Sequence, residues 1–224
     1  MNFSESKLLL RDAEEKLKEI EILYNKVFDN EGSTNLLKMK IKQYLDNVFS
    51  ALDYLAFSIF MEYSAKNVPS VAIEGHKSKV YFPITESNKE FSKYVKRAFP
   101  GLIEENPEIV EAIRKYQPFP GRSKWLKDLK VLANGNKHRN LTKHTQQRDT
   151  YIKEIKFANG AVIKNFYVSS PDDILPFSGG PIISIEGSTE KHIMFADLEK
   201  PVLKTLKRMY ASAPTIIEDI EKAK

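Results

Sequence analysis

Cysteine is absent from the 224 residues. Its absence excludes disulfide frameworks, thiolate zinc sites and cysteine nucleophiles together, and it fits a reducing cytoplasm. Long apolar runs are missing as well. The most apolar stretch, "VFSALDYLAFSIF", contains Asp53 and falls short of the roughly 20 apolar residues that a membrane-spanning helix needs. No membrane partner is expected. The first residues, "MNFSESKLLLRDAEEKLKEI", hold only a three-leucine run before charges resume, which is too short for the apolar core of a secretory signal. Histidine is scarce too, at four residues, and two of those four fall inside one stretch, "NGNKHRNLTKHT" at 134–145.

What is present is an ordinary globular mixture. Hydrophobic residues make up 42% and charged residues 29%, enough apolar material to build a core without metals or disulfides. The formal net charge is +5 and the pI is near 9.1, a mild bias toward polyanionic partners.

Apolar periodicity organises the first two thirds of the chain. Leu9, Leu10, Ala13, Leu17, Ile20, Leu23, Tyr24 and Val27 recur at three- and four-residue steps and predict a helix over 5–28. Ser4 or Ser6 is placed to cap its start. After "DNEGST", a second stripe from Leu37 through Leu45, Val48 and Leu55 to Ile59 predicts a helix over 34–65. A loop that short implies antiparallel packing. "KVYFPI" at 79–84 reads as a short strand. Ser87 and Asn106-Pro107 each carry helix-start signals. Ser123 opens a further amphipathic segment, with Trp125, Leu126, Leu129 and Leu132 on one side, and Asn134-Gly135 reads as its break.

After Gln147 the pattern alternates. "TYIKEIKF" and "AVIKNFYV" flank a turn at "ANG", and "PIISIE" and "HIMFA" read as two more strands separated by "GST". A last helix is expected from Leu198, capped by Asp197, with Pro214 placed to bend it. The fold class is α+β, with a mainly helical body and a small antiparallel sheet. One domain is expected over 1–224, helical to 148, stranded over 149–196 and helical again over 197–224.

Several of these pieces, in this order, resemble a widespread group of uncharacterised bacterial proteins. The resemblance spans 40–145 and is carried by "YLDNVFSALDYLAFSIF", Phe82-Pro83-Ile84, Gln117-Pro118 and Lys137-His138-Arg139. The chain has Phe49 where that group has arginine, Tyr54 where it has histidine and Asn136 where it has aspartate. The resemblance implies an architecture and brings no activity with it.

Arg139-Asn140-Leu141-Thr142-Lys143-His144 also resembles the arginine–asparagine–x–x–x–histidine signature of HEPN ribonucleases. That family comprises all-helical domains of toxin–antitoxin, abortive-infection and CRISPR systems, which cut RNA without metal at a site usually assembled across a dimer. The resemblance implies RNA as substrate, a homodimer, a cognate antitoxin or inhibitor protein, and no cofactor.

The residue types suit that chemistry. Histidine titrates near neutrality and serves as acid or base, so His144 is the expected acid/base. Arginine presents a permanently charged fork to phosphate oxygens, so Arg139 is the expected clamp. On a helix, Asn140 would lie one turn before His144 and could orient its ring. The same helix would set Arg139 and His144 roughly 140° apart, which calls for a long reach or a second subunit.

A non-catalytic reading competes. Asp46, Ser50 and Asp53 share one side of the second helix, and Asp53 sits in an apolar run where an unpartnered carboxylate is costly. A pair with His138 or Arg139 would satisfy it, making the Lys137-His138-Arg139 triplet a structural anchor of a binding or scaffold protein. Asn136, Lys137, His138 and Asp53 are supporting residues on the catalytic reading. No metal site is expected, because His138 and His144 lie six apart, off the four-residue spacing of a helical pair. His76, His192, Ser58, Ser178 and "FSGG" (177–180) offer no recognisable site.

Overall fold

The computed structural model describes residues 1–27, 33–138, 144–168 and 181–224, with the backbone alone at 33, 136–138, 144–150, 166, 167 and 188–191. The chain divides into two compact units. One comprises Met1–Thr142 with Leu203–Lys224, and the other Lys143–Val202. The architecture is α+β, with the helices and the antiparallel sheet segregated between the units.

In the helical unit, α1 (Ser4–Lys26) and α2 (Ser33–Ile59) run antiparallel along each other. Ser58 donates to the Asn2 carbonyl at one end, Asn47 to Asp12 midway, and Lys40 pairs with Glu19 at the other end. The stripe predicted for α2 is its buried face, with Ile41, Tyr44, Leu45, Val48, Leu55 and Ile59 fully inaccessible. Each such side chain contributes roughly 1.5–3 kcal/mol of burial. The C-terminal helix α8 (Val202–Lys222) docks on this pair, where the buried Tyr44 hydroxyl donates to the Leu206 carbonyl at 2.8 Å. Desolvation pushes that phenol's pKa far upward.

The end of α2 widens into a π-turn (Phe60–Ser64) and then a 3-10 turn (Ala65–Asn67). The Asn67 amide donates to the carbonyls of Tyr63 and Pro100 there, satisfying groups that a regular helix end leaves open. Short α3 (Ile73–Lys77) follows, then α4 (Asn88–Ala98), α5 (Leu102–Glu105) and α6 (Pro107–Lys115). The start signals act as predicted: Ser87 accepts from the Glu90 amide, and Asn106 from the Ile109 amide ahead of Pro107. A clamp ties α6 to α8, where Lys115 and the Tyr116 hydroxyl both meet Asp219, at 2.5 and 2.7 Å.

Helix α7 (Trp125–His138) differs from expectation. It continues through Asn134 and Gly135 instead of breaking there. A Cβ at Gly135 would meet nothing, so helical backbone is unobstructed at that position.

The other unit is a four-stranded sheet in the order β2-β1-β3-β4, antiparallel throughout, built from β1 (His144–Phe157), β2 (Val162–Val168), β3 (Ile182–Phe195) and β4 (Lys200–Pro201). The sheet therefore begins at His144, ahead of the expected 149. Ile152, Ile155, Phe157 and Val168 form its core. The β1–β2 turn uses Gly160 at φ 83°, the left-handed position such a turn requires. The two strands expected around "GST" are one strand. Gly187 stays in β3 opposite Ile152, where a Cβ would collide with the Tyr151 carbonyl oxygen. A glycine inside a strand marks this kind of close approach rather than a turn.

Two helix starts also differ. Neither Ser4 nor Ser6 caps α1; Ser6 is buried, and the Asn2 side chain accepts from the Ser4 amide. The last helix begins at Val202 and not Leu198, because 196–199 turn the chain into β4 first. Pro214 lies inside that helix.

Candidate functional site

The strand expected over 79–84 does not form: residues 80–85 carry no regular secondary structure and, among the described residues, belong to no sheet. Pro83 restricts Phe82 to extended backbone and has no amide to give a ladder. Side chains from three helices and a turn take the place of a neighbouring strand. The Tyr94 hydroxyl accepts from the Tyr81 amide and donates to the Tyr81 carbonyl. Asp53 of α2 accepts from the Phe82 amide at 2.9 Å. Gln117, fully buried, donates to the Pro83 carbonyl at 2.9 Å and accepts from the Thr85 amide at 3.0 Å and the Thr85 hydroxyl at 3.2 Å. Lys130 of α7 donates to the Ile84 carbonyl at 3.1 Å. Three of the four pieces that carry the first resemblance thus meet at one segment.

Two adjoining clefts open on this segment. A cleft of about 370 Å³ is lined by Phe49, Tyr81, Ile84, Tyr94, Lys130 and Asn134, with Phe82 and Thr85 completing it. A second, of about 660 Å³, shares Tyr81 and Tyr94 and adds Lys79 and Arg97. Burial raises the Tyr94 phenol above its ordinary pKa, with the Asp53 charge adding to the shift. Lys130 lines the first cleft, and Lys79 and Arg97 the second. A hydrogen bond from Lys127, with further help from Lys130 and Lys124, holds the exposed Glu86 carboxyl below the usual range.

Asp53 is a structural acceptor for the Phe82 amide; its expected pairing with His138 or Arg139 lies outside the described residues. Asn136, Lys137 and His138 form the last turn of α7, with position 138 one helical turn past Asn134. Arg139 and Asn140 lie outside the described residues. His144 opens β1, its backbone opposite Phe195. The helical register assumed for the motif is therefore corrected. His144 is a strand residue, so a helical angle counted to it does not apply.

Among the described residues, no three His, Cys, Asp or Glu side chains converge as a metal site would require. No described helix is long and apolar enough to cross a membrane. His76 is engaged structurally, stacked on Phe60 with ring centroids 5.1 Å apart and its Nε2 3.1 Å from the Ala98 carbonyl oxygen. The sequence reading missed Tyr81, Tyr94, Lys79, Arg97 and Lys130. The available signal was Tyr94 and Arg97 at a three-residue step on a basic helix.

No family model, no curated protein and no solved structure matches the chain.

Proposed function

We propose that the chain is a HEPN-like endoribonuclease that cuts RNA without a metal ion. The observation that supports this reading is the Arg139-Asn140-x-x-x-His144 signature, which follows in sequence on α7, the helix that contributes Lys130 and Asn134 to the smaller cleft. In this reaction a base takes the 2′-hydroxyl proton and the 2′-oxygen attacks phosphorus. The bond to the 5′-oxygen breaks, and that oxygen receives a proton, leaving a 2′,3′-cyclic phosphate and a 5′-hydroxyl. His144 serves the proton transfers and Arg139 holds the charge that builds on the phosphate oxygens. Asn140 enters through the resemblance alone. A homodimer, a cognate inhibitor and a cytoplasmic setting belong to the same proposal. Its test is cleavage of mixed RNA in chelator, with Arg139→Ala and His144→Ala as the variants that abolish it.

A second reading has its own support. Asp53, the Phe82-Pro83-Ile84 segment and Gln117 all serve as structural supports. This favours a non-catalytic binding or scaffold protein in which Lys137-His138-Arg139 is a further anchor. On that reading His138→Ala lowers the melting temperature and no RNA is cut.

A further inference from the structure

The two clefts beside Tyr81 hold chemistry that the motif residues do not explain. Tyr81 is 51% exposed, a high value for a large ring, yet it is held in place. Its hydroxyl donates to the Ser78 carbonyl at 3.1 Å, and the Tyr94 hydroxyl engages both its amide and its carbonyl. The result is a half-exposed aromatic side chain, anchored at backbone and hydroxyl, that lines both clefts, and such anchoring lowers the ordering cost of binding a flat partner. Beside it, the Arg97 guanidinium lies 5.4 Å from the Tyr94 ring centroid, and Lys79 lines the same cleft. Among the described residues no carboxylate pairs with Lys79 or Arg97. On the other side of Tyr81 and Tyr94, Lys130 and Asn134 line the smaller cleft.

Aromatic faces interleaved with unpaired cations suit an unstacked base with its phosphodiester. We infer that the two clefts form one groove for single-stranded RNA, with a base stacked on Tyr81, phosphates on Lys79 and Arg97, and the strand continuing to Lys130. This deepens the reading above and rests on it for the choice of RNA as the polymer. The groove binds the strand and performs no chemistry. Asn134 supplies an amide able to bond a base edge or a ribose hydroxyl.

Binding is separable from cutting by the choice of probe. A fluorescein-labelled 2′-O-methyl oligouridine of twelve residues has no free 2′-hydroxyl, so the proposed cleavage cannot consume it. Anisotropy with the full chain is expected to show binding that weakens steeply with salt. Tyr81→Ala is expected to weaken it about five-fold or more, and Tyr81→Phe to retain it. Lys79→Ala and Arg97→Ala are each expected to reduce the salt slope by about 0.7. All three side chains are exposed or line open clefts, and thermal melting confirms that the variants fold. If the parent does not bind, if Tyr81→Ala binds equally well, or if polyglutamate competes as effectively as RNA, the inference is overturned. Loss of binding in the groove variants, with no cleavage of ordinary RNA by the parent, would retain the groove and remove the ribonuclease reading. Cleavage by the parent with binding unchanged in the groove variants would do the opposite.

Discussion

The Oε1 atom of Gln117 accepts from both the backbone amide and the hydroxyl of Thr85, at 3.0 and 3.2 Å, while its Nε2 reaches back to the Pro83 carbonyl at 2.9 Å. One fully buried amide thus stands in for the neighbouring strand that this segment lacks. Gln117→Leu keeps the volume and removes every one of these bonds. Leaving buried partners unsatisfied costs about 1–3 kcal/mol each, so denaturant unfolding is expected to show a loss of roughly 2–5 kcal/mol. A loss under about 1 kcal/mol would mean that water replaces Gln117 at no cost.

Asp53 supports the same segment from α2 by accepting from the Phe82 amide. Asp53→Ala is expected to lower stability by about 1–3 kcal/mol. Asp53→Asn keeps an acceptor oxygen and is expected to lose less. Neither change removes a reacting group, so RNA cleavage per folded molecule should stay within about two-fold of the parent, since only groups active in the transition state carry larger factors. A large loss of turnover in well-folded Asp53→Asn would move this carboxylate into the chemistry.

On the sheet, Glu154 lies between Lys164 at 2.8 Å and Lys156 at 2.9 Å. Hydrogen bonds from these two lysines pull its pKa from 4.5 to about 2. A carboxyl whose folded pKa is depressed gives stability that is complete above its unfolded value and fades as pH falls through the folded one. The contribution should therefore be lost between about pH 4.5 and pH 2. An NMR titration of the Glu154 carboxyl is expected to show a midpoint near the lower value, and Lys164→Gln to raise it. A midpoint near 4 in the parent chain would contradict the pairing.

The Lys137-His138-Arg139 triplet separates the two functional readings thermally. On the ribonuclease reading, His144→Ala and Arg139→Ala leave the melting temperature within a degree or two of the parent, as exposed-site substitutions do. On the scaffold reading, Arg139→Ala or His138→Ala strands a buried partner and lowers stability by about 3–5 kcal/mol.

Much of this fold is legible in the residues because its elements are set by local pattern. The stripes of α1 and α2, the caps at Ser87 and Asn106 and the turn at Gly160 all follow from spacing and backbone chemistry. What pattern could not reveal was set by distant contacts. "KVYFPI" has strand composition, but its partners are the side chains of Asp53, Gln117, Tyr94 and Lys130. Gly187 reads as a turn until the Tyr151 carbonyl is seen filling the space of a Cβ. Asn134-Gly135 reads as a helix break, whereas α7 includes both residues, and the helical spacing weighed for Arg139, Asn140 and His144 gives way to a strand at His144. Of the site, the need of Asp53 for a partner was legible, but the Phe82 amide as that partner was not. The Tyr81–Tyr94 pair was not, because nothing in the sequence links positions 13 residues apart on a turn and a helix.

Single-turnover cleavage of a labelled RNA, in chelator and at neutral pH, tests the central claim most directly. The parent chain is expected to yield 2′,3′-cyclic phosphate ends. His144→Ala and Arg139→Ala are each expected to slow the reaction by about 100-fold or more, with melting temperature unchanged. Parent-rate cleavage by the double variant, or no cleavage by the pure parent chain, would contradict it.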